Sequence, residues 1–234
     1  MNDSANGHGA TSTDDTDDTD RQVRYFKKDF WKTENLKYSK PHFRMEKAAR
    51  LINQLSRGRT PSLLDVGCGP ATLQHLVTPN VGYHGIDISI PNPGPTLAEV
   101  DFVANPIGLR DQRFDIVLAQ GVFEYMGEFQ RQKFAEIAGI LAPGGTFMVS
   151  YVNFGHRDRE VYWPYNNMQP IGNFGRDLGR YFKIKRFFPT SHNWGHSEPN
   201  RRLLRTVNMR LNANIPWLSP KLAVEYFFIC SARA

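Results

Sequence analysis

The sequence predicts an α/β protein built on a doubly wound, mostly parallel sheet with helices on both faces. Three observations point there. Short apolar runs of strand length alternate with segments of helical period from Phe43 to Tyr151. The first run ends in a glycine turn, Gly67-Cys68-Gly69-Pro70, which leads into a helical face. The second and third runs close on single acids, Asp87 and Asp101, at the carboxyl edge where such sheets hold their ligands.

The elements follow in order. Residues 1–20 contain six aspartates and no Lys or Arg in a Ser/Thr/Gly/Asn background, a composition with too little apolar surface to fold, so a disordered acidic tail is expected. Residues 21–58 form a helical cap, in which Ala48, Leu51, Ile52 and Leu55 share one face of a helix over Phe43–Leu55. Ser62–Val66 is the first strand, and Leu73, Leu76 and Val77 line one side of the helix after the glycine turn. Tyr83–Ile88 is the second strand, and Pro91, Pro93 and Pro95 prevent a regular helix after it. The third strand is expected to end near Asp101–Val103 and the fourth to span Phe114–Ala119. Phe134, Ile137, Ala138 and Leu141 mark a helix that Pro143-Gly144-Gly145 stops before a fifth strand, Thr146–Tyr151. Ile184–Phe188 and Ala223–Ser231 complete seven strands, with an insert of about 34 residues between the last two that carries Arg201, Arg202, Arg205 and Arg210.

Composition narrows the classes. A chain of 234 residues with 40% hydrophobic content supports one sizeable core, so residues 21–234 are read as a single domain. The apolar run Leu222–Ala232 is broken by Glu225 and falls short of the ~20 residues a spanning helix needs. No basic-then-apolar leader is visible, and the two cysteines, Cys68 and Cys230, lack a disulfide or metal spacing. A cytoplasmic protein without a metal is the expectation. Setting the six tail aspartates aside leaves 29 basic residues against 17 acidic ones, about +12, a body that attracts anionic small molecules or nucleic acid.

The glycine turn alone fits either a dinucleotide or another adenosyl ligand. Thr72 stands where the dinucleotide pattern has its third glycine, and Asp65, two residues before Gly67, would repel a pyrophosphate. A carboxylate there suits a ligand bearing a sulfonium and an ammonium. Cys68 is read as a small turn residue that lets the backbone approach that ligand. Asp87 is placed on the ribose hydroxyls, Asp101 on the adenine amino group, and Ile88 and Phe102 against the ring.

With these residues in view, Leu64-Asp65-Val66-Gly67-Cys68-Gly69-Pro70 resembles motif I of the class I, Rossmann-like S-adenosylmethionine-dependent methyltransferases. Gly85-Ile86-Asp87-Ile88-Ser89 resembles the acidic motif that follows it, Phe114–Gln120 the fourth-strand motif, and Leu141-Ala142-Pro143-Gly144-Gly145-Thr146 the late Pro-Gly-Gly motif. The likeness covers residues 60–152, the cofactor-binding core, and leaves 153–234 as the substrate-side segment. It implies a seven-stranded Rossmann-like sheet, S-adenosylmethionine as cofactor, and a cofactor site of Asp65, Gly67, Cys68, Gly69, Asp87, Ile88, Asp101, Phe102 and Gln120. The sequence departs from the family in the proline-rich loop Ile90–Thr96, and in Glu124-Tyr125, which replaces a frequent Glu-His pair.

Candidate bases therefore come from elsewhere. His156 follows the end of the fifth strand, and His192 and His196 lie in the insert. Tyr151, Tyr162, Trp163, Tyr165 and Asn166 combine rings and amides in a way that suits a sugar-like or polyol acceptor. Arg44 and Lys40 are candidates for the cofactor carboxylate, with a solvated face as the alternative. The expected activity is O-methylation of a polar small molecule, a glycan or a secondary-metabolite intermediate. The alternatives are an RNA or other nucleic-acid methyltransferase and a non-catalytic binding protein of the same fold.

Overall fold

The computed structural model describes residues 39–153, 169–194, 207–210 and 213–233. Its centre is β1 (Ser62–Val66), in which Leu63, Leu64 and Val66 are all buried. A run that is apolar on both faces belongs in the middle of a parallel sheet. β1 pairs in parallel with β2 (Gly82–Asp87) on one side and β4 (Phe114–Ala119) on the other. β3 (Leu97–Glu99) pairs in parallel with β2, and β5 (Leu141–Val152) with β4. The antiparallel half comprises β8 (Ala223–Ala232), β6 (Phe182–Trp194) and β7 (Val207–Met209), giving the order β3-β2-β1-β4-β5-β8-β6-β7.

Helices cover both faces. α1 (Phe43–Leu55) turns Ala48, Ala49 and Ile52 into a cluster with Leu63, Ile116, Leu118 and Phe227. On the opposite face, α2 (Gln130–Ile140) and α3 (Ile171–Tyr181) bury Phe134, Ile137, Phe174 and Leu178. Phe123 and Phe134 stack there with centroids 4.7 Å apart, and Phe147 and Phe182 extend the aromatic layer. A short helix, α4 (Ser219–Leu222), leads into β8.

Several boundaries differ from expectation. The third strand is Leu97–Glu99, and residues 101–103 form the turn after it. Asp101 is committed there, since its Oδ1 accepts the amides of Val103 and Ala104. After the glycine turn the chain makes only one 3₁₀ turn, Thr72–His75. β4 and β5 pair at Phe114–Leu141 and resume at Ile116–Thr146, so the Pro-Gly-Gly stretch lies in an irregularity within β5. The seven expected strands are joined by a short eighth, Val207–Met209, inside the insert between β6 and β8.

Candidate functional site

β1, β2 and β4 end on one edge of the sheet, and the order reverses between β1 and β4, the place where doubly wound sheets bind ligands. The turn after β1 is held by the Gly67 and Cys68 amides, which donate to the Ile86 carbonyl at 2.8 and 3.1 Å. Gly67 has φ +76°, and a Cβ on it would stand 2.3 Å from Val122 Cγ2. Only glycine lets this turn pack against the loop after β4. Between the two loops lies a cavity of about 220 Å³.

Asp87 ends β2 and lines this cavity. Its Oδ2 accepts the Gly69 amide at 2.8 Å and its Oδ1 the Ser89 amide at 3.2 Å, so both oxygens are oriented from the backbone. Ile88, Asp101 and Phe102 form the adjoining wall, and Gly67 and Cys68 the floor. Asp101 thus reaches the cavity from a turn rather than from a strand end. The fit to an adenosyl cofactor rests on these groups: an oriented carboxylate for ribose hydroxyls, apolar side chains for a ring, and a turn with no Cβ at its tightest point.

Asp65 sits one layer behind. It is buried, its Oδ2 accepts the Tyr83 hydroxyl at 2.7 Å, and it does not line the cavity. Burial pushes its carboxyl up to about 7, the Tyr83 hydroxyl opposes that shift, and the Asp87 charge adds to it. Asp65 therefore acts on the cavity through its field and through the turn it underlies.

The far wall holds a group that the sequence did not single out. Glu124 lies in a 3₁₀ turn, Phe123–Tyr125, just past β4, is 5% exposed, and lines the cavity with Arg44, Gln120 and Tyr125. Its Oε2 is buried without a hydrogen-bond partner. Burial pushes its carboxyl up to about 7, the Glu225 charge adds to this, and its own backbone amide and Arg44 oppose it. Arg44 reaches across to form an ion pair with Glu225 Oε1, so it is neither purely solvated nor simply a cofactor contact. Gln120 Nε2 donates to the Arg44 carbonyl at 3.3 Å. The signal available in the sequence was Glu124-Tyr125 itself, where the missing histidine drew attention from the glutamate that remains.

Two predicted site residues are placed otherwise. Tyr151 is fully buried and stacks on Phe174 at 3.9 Å, and its hydroxyl accepts the Gln169 amide, so it belongs to the core between β5 and α3. His192 is fully buried and its Nε2 pairs with Ser219 Oγ at 2.8 Å, which ties β6 to the start of α4; it does not line the cavity. Lys40 is exposed. His156, His196, Tyr162, Trp163, Tyr165 and Asn166 lie outside the described residues, as do Arg201, Arg202 and Arg205.

Comparison with known proteins agrees with this fold. The profile of a family described as methyltransferase domain matches residues 41–183, more than half of the chain. The fold is similar to that of the N-methyltransferase NodS from Bradyrhizobium japonicum, with TM-score 0.58 and 10% identity over 92% of this chain and 100% of that one. It is also similar to a TehB-like S-adenosylmethionine-dependent methyltransferase from Corynebacterium glutamicum, with TM-score 0.54 and 14% identity over 92% and 98% of the two chains. A third similar structure is a methyltransferase of the same cofactor from Archaeoglobus fulgidus, with TM-score 0.52 and 14% identity over 82% and 100%. No curated protein matches the chain.

Proposed function

The chain belongs to the methyltransferase-domain family and is an S-adenosylmethionine-dependent enzyme, and from that premise we propose that it methylates a hydroxyl of a polar small molecule, such as a glycan or a secondary-metabolite intermediate. The observation that carries this reading is the cavity of about 220 Å³ bounded by Asp87 and Phe102 on one side and by Gln120, Glu124 and Tyr125 on the other. The first set suits the nucleoside. The second offers polar groups to an acceptor admitted beside it.

S-adenosylmethionine supplies a methyl group on a positively charged sulfur. The chain's own residues bind, orient and exclude water. Asp87 would take the ribose hydroxyls, Ile88 and Phe102 would cover the ring, and the glycine turn, whose amides are held by Ile86 and Asp87, would let the ligand approach with no Cβ in the way. Displacement of this kind gains most from holding the reacting atoms in line, so a cavity that fixes both partners is itself a source of rate.

The loop after β4 reads Gln120-Gly121-Val122-Phe123 in place of the Asn/Asp-Pro-Pro-aromatic sequence of many amino-directed enzymes acting on bases, which supports a small acceptor over nucleic acid. The second reading is favoured by one observation, the exposed cations Lys183, Lys185 and Arg186 along β6. Calorimetry with S-adenosylmethionine and S-adenosylhomocysteine tests the cofactor, and failure of both to bind would sink the reading. Incubation with polyol, phenolic and RNA acceptors, read by mass spectrometry for one added methyl, separates the substrates. Methylated RNA, with binding that weakens steeply as salt rises, would replace the small-molecule reading.

A further inference from the structure

The wall of the cavity opposite Asp87 is an asymmetric charge cluster. Glu225 of β8 is saturated, because its Oε1 meets Arg44 and its Oε2 accepts the Thr190 hydroxyl at 2.9 Å. Lys47 of α1 donates to the Thr190 carbonyl beside it. Glu124 is buried as deeply, yet its Oε2 has no donor. Gly121 lies between the two sides, for a methyl group placed there would stand 3.2 Å from Arg44 Nη2 and 3.9 Å from Glu124 Oε1. The unpartnered oxygen therefore belongs to a carboxyl group on the cavity wall, close to a positive charge but not neutralised by a direct bond.

We propose that Glu124 is the catalytic residue that takes the proton from the methyl acceptor, and that the acceptor's reacting atom is a hydroxyl oxygen that still carries its proton, rather than a preformed anion. This rests on the cofactor reading above. The new bond joins the acceptor oxygen, through one of its lone pairs, to the methyl carbon. The carbon–sulfur bond breaks with its electron pair going to sulfur, and the acceptor's proton moves to Glu124, whose carboxylate becomes a neutral carboxyl. An acceptor already negative at the reacting atom would face an uncompensated buried carboxylate and be disfavoured.

The cluster also couples that proton to the charge of the cofactor. A sulfonium in the cavity favours ionised Glu124, whereas the neutral thioether left after transfer favours its protonated form. The carboxylate is thus available before transfer and takes up a proton as the neighbouring positive charge disappears. The groups that act on it are Arg44 from α1, Glu225 from β8 and Tyr151 from β5, with His42, Asp87 and Asp101 on other walls of the same cavity. Asp65 titrates in the same range but lies behind the cavity, and Glu124→Gln leaves its contribution in place, so the variant separates the two carboxyls.

The test is calorimetry of the full chain with S-adenosylmethionine and with S-adenosylhomocysteine near pH 7, in two buffers of different ionisation heat. A carboxyl titrating near 7 is half protonated there, so its complete ionisation releases about 0.5 proton. The charged form should release that much more than the neutral form. Glu124→Gln should abolish the difference, keep affinity for S-adenosylhomocysteine within a few-fold, and lower turnover roughly 10²–10⁴-fold. Absence of binding by either form overturns this assignment together with the cofactor reading. Binding with equal proton release in the unaltered chain, or a difference that survives in Glu124→Gln, overturns the assignment of Glu124 alone. The measurement on the unaltered chain stands whether or not the variant folds.

Discussion

Asp87 and Asp65 look alike in the sequence, each an acid at or near a strand end and two residues from a glycine, but they differ in what they touch. Asp87 faces the cavity with both oxygens oriented by amides, while Asp65 spends its carboxyl on Tyr83. Asp87→Ala should therefore weaken both S-adenosylmethionine and S-adenosylhomocysteine by about 1–3 kcal/mol, the value of a charged hydrogen-bond partner in an enclosed site. Calorimetry with both ligands checks this, and unchanged affinity would remove Asp87 from the cofactor site. Such residues were legible because a strand end fixes where its side chain points. Glu124 was not, since its importance comes from burial and from Arg44 and Glu225, which approach from α1 and β8 and share no local pattern with it. His192 misled for the converse reason: a histidine among polar residues suited a candidate base, and only the pairing with Ser219 puts it in the interior.

Among the elements, those with a strong internal period were legible nearly to the residue. α1 runs over Phe43–Leu55 and β4 over Phe114–Ala119, as the apolar spacing predicts. β3 was misplaced because it is a three-residue edge strand, defined by its pairing of Gly85 with Leu97 rather than by any alternation of its own. β8 was legible to within one residue, whereas the extension of β6 from the expected Ile184–Phe188 to Phe182–Trp194 depends on antiparallel register between distant segments, which local pattern does not carry. The attachment of α1 to the sheet is likewise a long-range matter. Arg44 bonds Glu225 of β8 and Lys47 bonds the Thr190 carbonyl of β6, so the helix is fastened by charge as well as by Ala48 and Ile52. Arg44→Ala leaves Glu225 buried and short of a cation, and should cost roughly 2–4 kcal/mol, below the value for a fully enclosed pair because the Arg44 side chain is 27% exposed. Urea unfolding measures this; a loss under about 0.5 kcal/mol would mean that solvent already screens the pair.

At the scale of the whole chain, charge governs behaviour in two ways. The net +6 combines an acidic first 20 residues with a strongly basic remainder. If those residues contribute no packing, deleting them should leave melting temperature and cofactor affinity unchanged, whereas a large drop in melting temperature would show that they dock on the basic body. The second way is titration of the buried carboxyls. Asp65 and Glu124 are both pushed up to about 7 by burial, from ordinary values of 3.8 and 4.5. Between those limits the unfolded chain has released protons that the folded chain still holds, so stability falls as pH rises through the window and levels off above about 7. His192 acts in the opposite sense: burial lowers its pKa from 6.5 and keeps it neutral, so acidification below that value favours unfolding. A variant is needed to separate these slopes. Glu124→Gln cannot ionise, and at about 1.4 kcal/mol per pH unit it should gain on the order of 3 kcal/mol relative to the unaltered chain between pH 4.5 and pH 8. Thermal melts of both proteins without cofactor, taken at unit steps across that range, should diverge progressively toward high pH; parallel curves would mean that Glu124 titrates in the folded chain as it does in the unfolded one and that its burial is relieved by water.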